Sequence, residues 1–139
     1  MLKKILNFIE ELITKLLYQR TLNFERLNPT QTGLDNTFPY KLAPNADHML
    51  SEVIEPLQQQ FLGFYITSFY RSYEVNKRVG GTLNSAHLTA EAIDCCVLGV
   101  APLVKLVTWI NSNLDVDYIK VYPTYIHITK RRRIKKWKN

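Results

Sequence analysis

Cysteine is scarce in this chain: there are two, Cys95 and Cys96, and they are neighbours. Adjacent strand residues point to opposite faces, so they make a poor disulfide pair and give no sign of a disulfide-stapled secreted scaffold. A reducing setting suits them better. Glycine and proline are also few, 5 and 6 of 139 residues, and 46% of the chain is hydrophobic against 22% charged. Those proportions exclude collagenous, low-complexity and disordered chains and leave one ordinary globular domain. No run reaches the roughly 18 uncharged apolar residues that a membrane span requires. The opening stretch MLKKILNFIEELITKLLYQR is basic and then apolar, but Glu10 and Glu11 interrupt it and no small-residue cleavage site follows. No secretory signal is read there.

Acidic residues are missing altogether from Lys130–Asn139, which holds 7 of the 18 Lys and Arg. Without that segment the formal charge of +6 becomes −1, so the basicity belongs to a tail. Such a run is usually solvated, although cations beside Trp137 also suit anionic wall polymers, lipid headgroups or nucleic acid.

Leu2, Ile5, Leu6, Ile9, Leu12, Ile13, Leu16 and Leu17 recur at three- and four-residue steps, which predicts an amphipathic helix over residues 1–20. Its stripe suits packing or self-association, or a membrane surface. Residues 21–45 carry Asn28-Pro29, Gly33, Asp35-Asn36, Pro39 and Pro44, breakers that predict a loop or extended arm. Beyond it, a helix capped by Asp47 runs to about Phe61, with His48 in its first turn and without a role. A strand follows at residues 64–69, a short helix from Ser72 to Val79 and a Gly80-Gly81 turn. Then come a buried strand Ala92–Leu98, a helix Pro102–Asn113 and a hairpin of Tyr118–Tyr122 with Tyr125–Thr129. This order predicts an α+β domain, a small mostly antiparallel sheet flanked by helices on one side.

His87 lies seven residues before Asp94, and His127 lies inside the last strand. Two imidazoles and a carboxylate form a zinc set that leaves a fourth tetrahedral position for water, the catalytic arrangement. Strand alternation puts Asp94 on one face with Ala92 and Cys96, while Ile93 and Cys95 point the other way. His127 shares a face with Tyr125 and Thr129, which leaves Ile126 and Ile128 to the core. An inward carboxylate in an apolar strand is costly unless paired or bound to a cation.

The stretch SFYRSYEVNKRVGGTLNSAHLTAEAIDC, residues 68–95, together with Tyr125-Ile126-His127-Ile128, resembles the zinc D-alanyl-D-alanine carboxypeptidases and related peptidoglycan endopeptidases. That family reads Ser-Gly-Tyr-Arg-Ser-Pro, then Asn and Gly-Gly, then Ser-x-His with an Asp seven residues on, and closes on an aromatic-x-His strand. The resemblance covers about residues 46–129 and implies a zinc peptidase domain there, followed by the basic tail 130–139. It implies that His87, Asp94 and His127 hold Zn2+, that Arg71 binds the substrate carbonyl and stabilises the oxyanion, and that Ser85 helps to bind substrate. It further implies peptidoglycan stem peptides as substrate. The expected setting is synthesis in a bacterial cytoplasm and action at the cell wall or periplasm, from a bacterial or phage gene.

Phe69 stands where the family has Gly, Tyr73 where it has Pro and Ala90 where it has Gly. Many relatives carry a Glu three residues before the last histidine, and here Thr124 occupies that place. Hydrolysis needs a group that takes the proton of water and delivers it to the leaving amine. Glu91 is out of phase with Asp94 and faces away. A hairpin pairing Tyr122 with Tyr125 and Lys120 with His127 puts Asp117 on the far face, whereas another register brings it round. Asp117 is the first candidate for the base. Two rivals to the peptidase stand beside it: an impaired wall-binding derivative of the same fold, and a small basic nucleic-acid-binding protein.

Overall fold

The computed structural model describes residues 1–25, 32–98 and 103–133, with side chains for residues 1–16 and from 32 onward. The Asn28-Pro29 breaker, Pro102 and residues 134–139 of the tail, Trp137 among them, lie outside the described residues.

Helix α1 runs Leu2–Glu25, five residues past the expected end. Its polar residues Asn7, Glu10, Glu11 and Thr14 line a shallow cleft with Tyr40 and Lys41, so the helix shows its polar side to the domain. The apolar stripe stays exposed, Leu2 at 70% and Leu16 at 63%. No helix among the described residues is long and apolar enough to cross a membrane.

The arm ends sooner than its prolines suggest. After a 3-10 turn at Tyr40–Leu42, helix α2 covers Ala43–Met49 with Pro44 in its first turn. Proline is tolerated there because that N–H has no partner within the helix anyway. The start at Asp47 is therefore corrected to Ala43, and His48 lies in the last turn of α2. A wide π-type turn, Leu50–Ile54, joins α2 to α3, Glu55–Gln60. Pro56 follows it closely, and a proline inside a helix both lacks a donor and crowds the preceding turn. Strand β1 is Phe64–Ser68, and α4, Tyr73–Arg78, is capped by Ser72, whose Oγ accepts from Val75 N–H at 3.3 Å. Strand β2 is Ala92–Val97, α5 is Leu103–Asn113, β3 is Tyr118–Val121 and β4 is Ile126–Thr129.

The four strands form one antiparallel sheet in the order β1-β2-β4-β3. Its helix-facing side is the core: Ile66, Ile93, Cys95, Ile126 and Ile128 pack with Met49, Ile54 and Leu57 from α2–α3 and with Leu106 and Ile110 from α5. The fold is α+β, with helices against an antiparallel sheet. Both cysteines are free and buried, and Cys95 joins the core as strand parity requires.

Candidate metal centre

The other face of the sheet carries the polar residues. In β2 and β4 Asp94 stands directly opposite His127, so two adjacent central strands deliver both side chains to one point. His87 arrives from a 3-10 turn, Ala86–Thr89, whose first N–H groups are capped by Ser85: its Oγ accepts from His87 N–H at 3.3 Å. That turn closes at Ala90 with φ +57°, a left-handed conformation that favours glycine. The departure from the family glycine thus falls on the residue whose backbone most needs one.

His87 Nδ1 lies 2.5 Å from Phe69 O. A carbonyl only accepts, so Nδ1 carries a proton and Nε2 turns to the other two residues. His87 Nε2 is 3.3 Å from Asp94 Oδ1 and 3.3 Å from His127 Nδ1, and His127 Nδ1 is 2.8 Å from Asp94 Oδ1. Tetrahedral coordination with bonds of about 2.0–2.1 Å places ligand atoms roughly 3.3–3.4 Å apart. Two of the three separations meet that value, and the third is shorter because it is a direct hydrogen bond. His127 Nε2 is steadied by Thr129 Oγ1 at 3.0 Å. This set, all three donors within 4.8 Å of one another, can hold a metal ion.

Arg71 braces it. Its Nη2 donates to Asp94 Oδ2 at 2.7 Å and its Nε to Ser68 Oγ at 2.9 Å. A bulge in β1 around Thr67 brings Ser68 opposite Asp94. Behind Arg71, Asn36 donates to Tyr70 O at 2.9 Å and accepts from Ser72 N–H at 2.6 Å, so the arm is part of the frame of the site. Burial works to raise the Asp94 carboxyl, but hydrogen bonding with His127 and His87 and the Arg71 charge outweigh it and hold the group well below the usual carboxylate range.

His87, Asp94, His127, Arg71, Ser85 and Asp117 all line one groove of about 1100 Å³. The hairpin register is the one that pairs Lys120 with His127, and Tyr122 N–H donates to Tyr125 O at 2.9 Å. Asp117 nevertheless reaches the groove, because it precedes β3 and strand alternation does not govern it. Its carboxylate is occupied: Oδ2 accepts from Arg131 N–H at 2.6 Å and Oδ1 from Arg133 Nη2 at 3.1 Å. The Arg131 hydrogen bond, with the charges of Arg133 and Lys130, holds this carboxyl below the ordinary aspartate value against the effect of burial. Such a group is a weak base. Glu91, expected to face away, is buried and accepts from Thr89 Oγ1 at 2.8 Å and from Arg132 N–H at 2.6 Å.

Sequence reasoning passed over Ser68, Thr129 and the Phe69 carbonyl. Thr129 was within reach of it, two residues past His127 on the same face. Ser68 depends on a bulge and Phe69 on a backbone atom, and neither leaves a sequence signal. The first residues of the basic tail are likewise not a free tail, since Lys130–Arg133 are hydrogen-bonded to the fold, although Arg131 and Arg133 stay exposed.

No curated protein and no solved structure matches the chain. A family profile does, that of Peptidase M15, over residues 20–129, which takes in the arm as well as the sheet. With the motif of residues 68–95 and the convergent donors in agreement, the chain belongs to the Peptidase M15 family, the zinc D-alanyl-D-alanine peptidases.

Proposed function

We propose that the protein is a zinc-dependent peptidase that hydrolyses D-alanine-containing bonds in the stem peptides of bacterial peptidoglycan, acting at the wall after synthesis in the cytoplasm. The observation that carries this is the convergence of His87 Nε2, Asp94 Oδ1 and His127 Nδ1 on the floor of the groove beside Arg71. Zinc bound there supplies Lewis acidity and makes water acidic near neutral pH.

The remaining work belongs to the chain. Asp94 divides its oxygens, Oδ1 toward the imidazoles and Oδ2 toward Arg71, so the arginine orients the ligand set. Arg71 spends two of its N–H donors on Ser68 and Asp94, and the others are available to a substrate carbonyl as negative charge develops on it. Ser85 uses its oxygen to accept from His87 N–H and keeps its O–H for a substrate acceptor. Asp117 is the groove carboxylate left for proton transfer, and its hydrogen bonds from Arg131 N–H and Arg133 Nη2 make it a weak base. The same feature supports the second reading, a wall-binding derivative that keeps the metal and lacks turnover.

The test is release of D-alanine from a synthetic stem pentapeptide, with zinc content measured on the same sample. We expect about one zinc per chain, loss of turnover with chelator, and a fall of roughly 10²-fold or more in kcat for Arg71→Ala. Full zinc occupancy in His87→Ala would overturn the ligand assignment. Stoichiometric zinc with neither release of D-alanine nor cleavage of purified peptidoglycan would support the binding derivative instead.

A further inference from the structure

The groove is cationic out of proportion to its metal-holding task. Arg71, Lys120, Arg131, Arg132 and Arg133 line it, against the carboxylates of Asp94 and Asp117. Three of these cations come from the segment just after β4, and that segment is fastened. Lys130 N–H donates to Glu91 O at 3.0 Å, Arg131 N–H to Asp117 Oδ2 at 2.6 Å and Arg132 N–H to Glu91 Oε2 at 2.6 Å. Glu91 is only 7% exposed, and a buried carboxylate is tolerated where its oxygens are hydrogen-bonded. Backbone hydrogen bonding thus continues past Thr129, where β4 ends, with carboxylate oxygens of Asp117 and Glu91 accepting from the segment's N–H groups.

The segment turns cations of both parities to the groove. His127 and Thr129 line it from β4, and past the strand Arg131, Arg132 and Arg133 line it in succession. Arg132 spends its Nε on Asn45 Oδ1 at 2.8 Å. Arg131 is about half exposed and Arg133 is 87% exposed, and among the described residues each guanidinium has one contact, to Glu91 at 3.4 Å and to Asp117 at 3.1 Å. Each guanidinium keeps further donors for an incoming carboxylate, the planar acceptor that its fork matches.

We propose that Lys130–Arg133 form a specificity wall, on which Arg131 and Arg133 bind a carboxylate carried by the substrate two to four residues from the bond held at the His87–Asp94–His127 centre. This deepens the peptidase reading and rests on it. An extended chain rises at most ~3.3 Å per residue, so Arg131 stands within roughly 13 Å of His127 and Arg133 within roughly 20 Å. The Arg133 guanidinium reaches back to Asp117, whose N–H donates to Thr129 O, and the Arg131 guanidinium to Glu91, whose O accepts from Lys130 N–H, which sets the donors two to four residues from the bond.

The experiment uses the zinc-loaded, full-length protein and two fluorescent stem pentapeptides that differ at one group, a free carboxylate or its carboxamide on the second residue. Binding is read by anisotropy, and KM and kcat by product release. The carboxylate peptide should bind about 3- to 10-fold tighter at low salt, with the gain in KM rather than kcat and shrinking as salt rises. Arg131→Gln and Arg133→Gln should each remove most of that difference, and together all of it. If neither peptide is cleaved while the binding difference and its dependence on the two arginines persist, the wall stands and the peptidase reading fails. If both peptides are cleaved with equal KM and the arginine variants change nothing, the wall is overturned and the peptidase reading stands. Displacement of the carboxylate peptide by a single-stranded oligonucleotide at equal or lower concentration would also overturn it, because the groove would then read charge alone.

Discussion

Residues 1–25 and 130–133 flank the sheet domain in sequence, and both read as appendages, one striped with apolar side chains and the other a run of cations. In the structure they part company. Helix α1 leaves its stripe in solvent and offers the domain its polar side, whereas the cationic segment has its N–H groups bound by Glu91 and Asp117 and becomes an edge of the groove. The difference lies in the backbone. A helix satisfies its own N–H and C=O groups and can stand apart, while an extended segment has no internal partners and holds its place only where the fold supplies them. Side-chain character alone therefore misjudges how each segment meets the domain.

One glutamate that fastens the cationic segment and one that lies on α1 give the sharpest way to break this contrast. Removing the Glu91 side chain strands the Arg132 N–H and frees the wall, so Glu91→Ala should cost about 1–3 kcal/mol in denaturant unfolding. Glu11 makes an exposed pair with Lys15 at 3.2 Å on α1, and Glu11→Ala should cost no more than about 0.5 kcal/mol. Equal losses would mean that both segments are docked to the same degree.

Acid sharpens it next. The Asp117 carboxyl titrates below its ordinary value of 3.8, so what it contributes to the folded state is complete above that pH and is lost as pH falls through the lowered value. The protection factor of the Arg131 amide, its exchange by NMR compared with an unfolded chain at the same pH, should be constant at higher pH and fall only below it. Amides of α1, which has no aspartate, should show no matching step. Loss of protection at Arg131 beginning near neutral pH would reject the Asp117 tether.

The smallest effect is expected at Ala90, in the turn that carries His87. Relief of left-handed strain, ~1–2 kcal/mol, opposes the loss of a fully buried methyl, ~0.8, and the added backbone freedom of glycine, ~0.5–1. Ala90→Gly should stay within about 1 kcal/mol of the parent in thermal unfolding, and a larger gain would show that the turn stores more strain than its dihedral angles suggest.

Much of this site was legible because strands announce themselves by alternation. Ile93 and Cys95 against Asp94, and Ile126 and Ile128 against His127, mark the two faces of β2 and β4, whereas the hairpin register stayed open in the sequence and is the one that pairs Lys120 with His127. The start of α2 was not legible, since Pro44 is a breaker inside a helix and a favoured residue in its first turn. Nor was the wall, because its partners Glu91 and Asp117 are distant in sequence and act through side-chain oxygens that no periodicity marks. Asp117 shows where alternation stops: one residue ahead of β3, it turns into the groove from a parity that inside the strand would send it away.

The direct opposition of Asp94 and His127 across β2 and β4 has a use in refolding work. A pairing error of one residue would turn one of the two to the helix side of the sheet, so a misaligned chain could be compact, soluble and rich in strand yet unable to gather three ligands. For a metal held at this centre, the ratio of tightly bound ion to protein would then count correctly paired molecules, a gauge of refolding fidelity that circular dichroism, blind to register, does not supply.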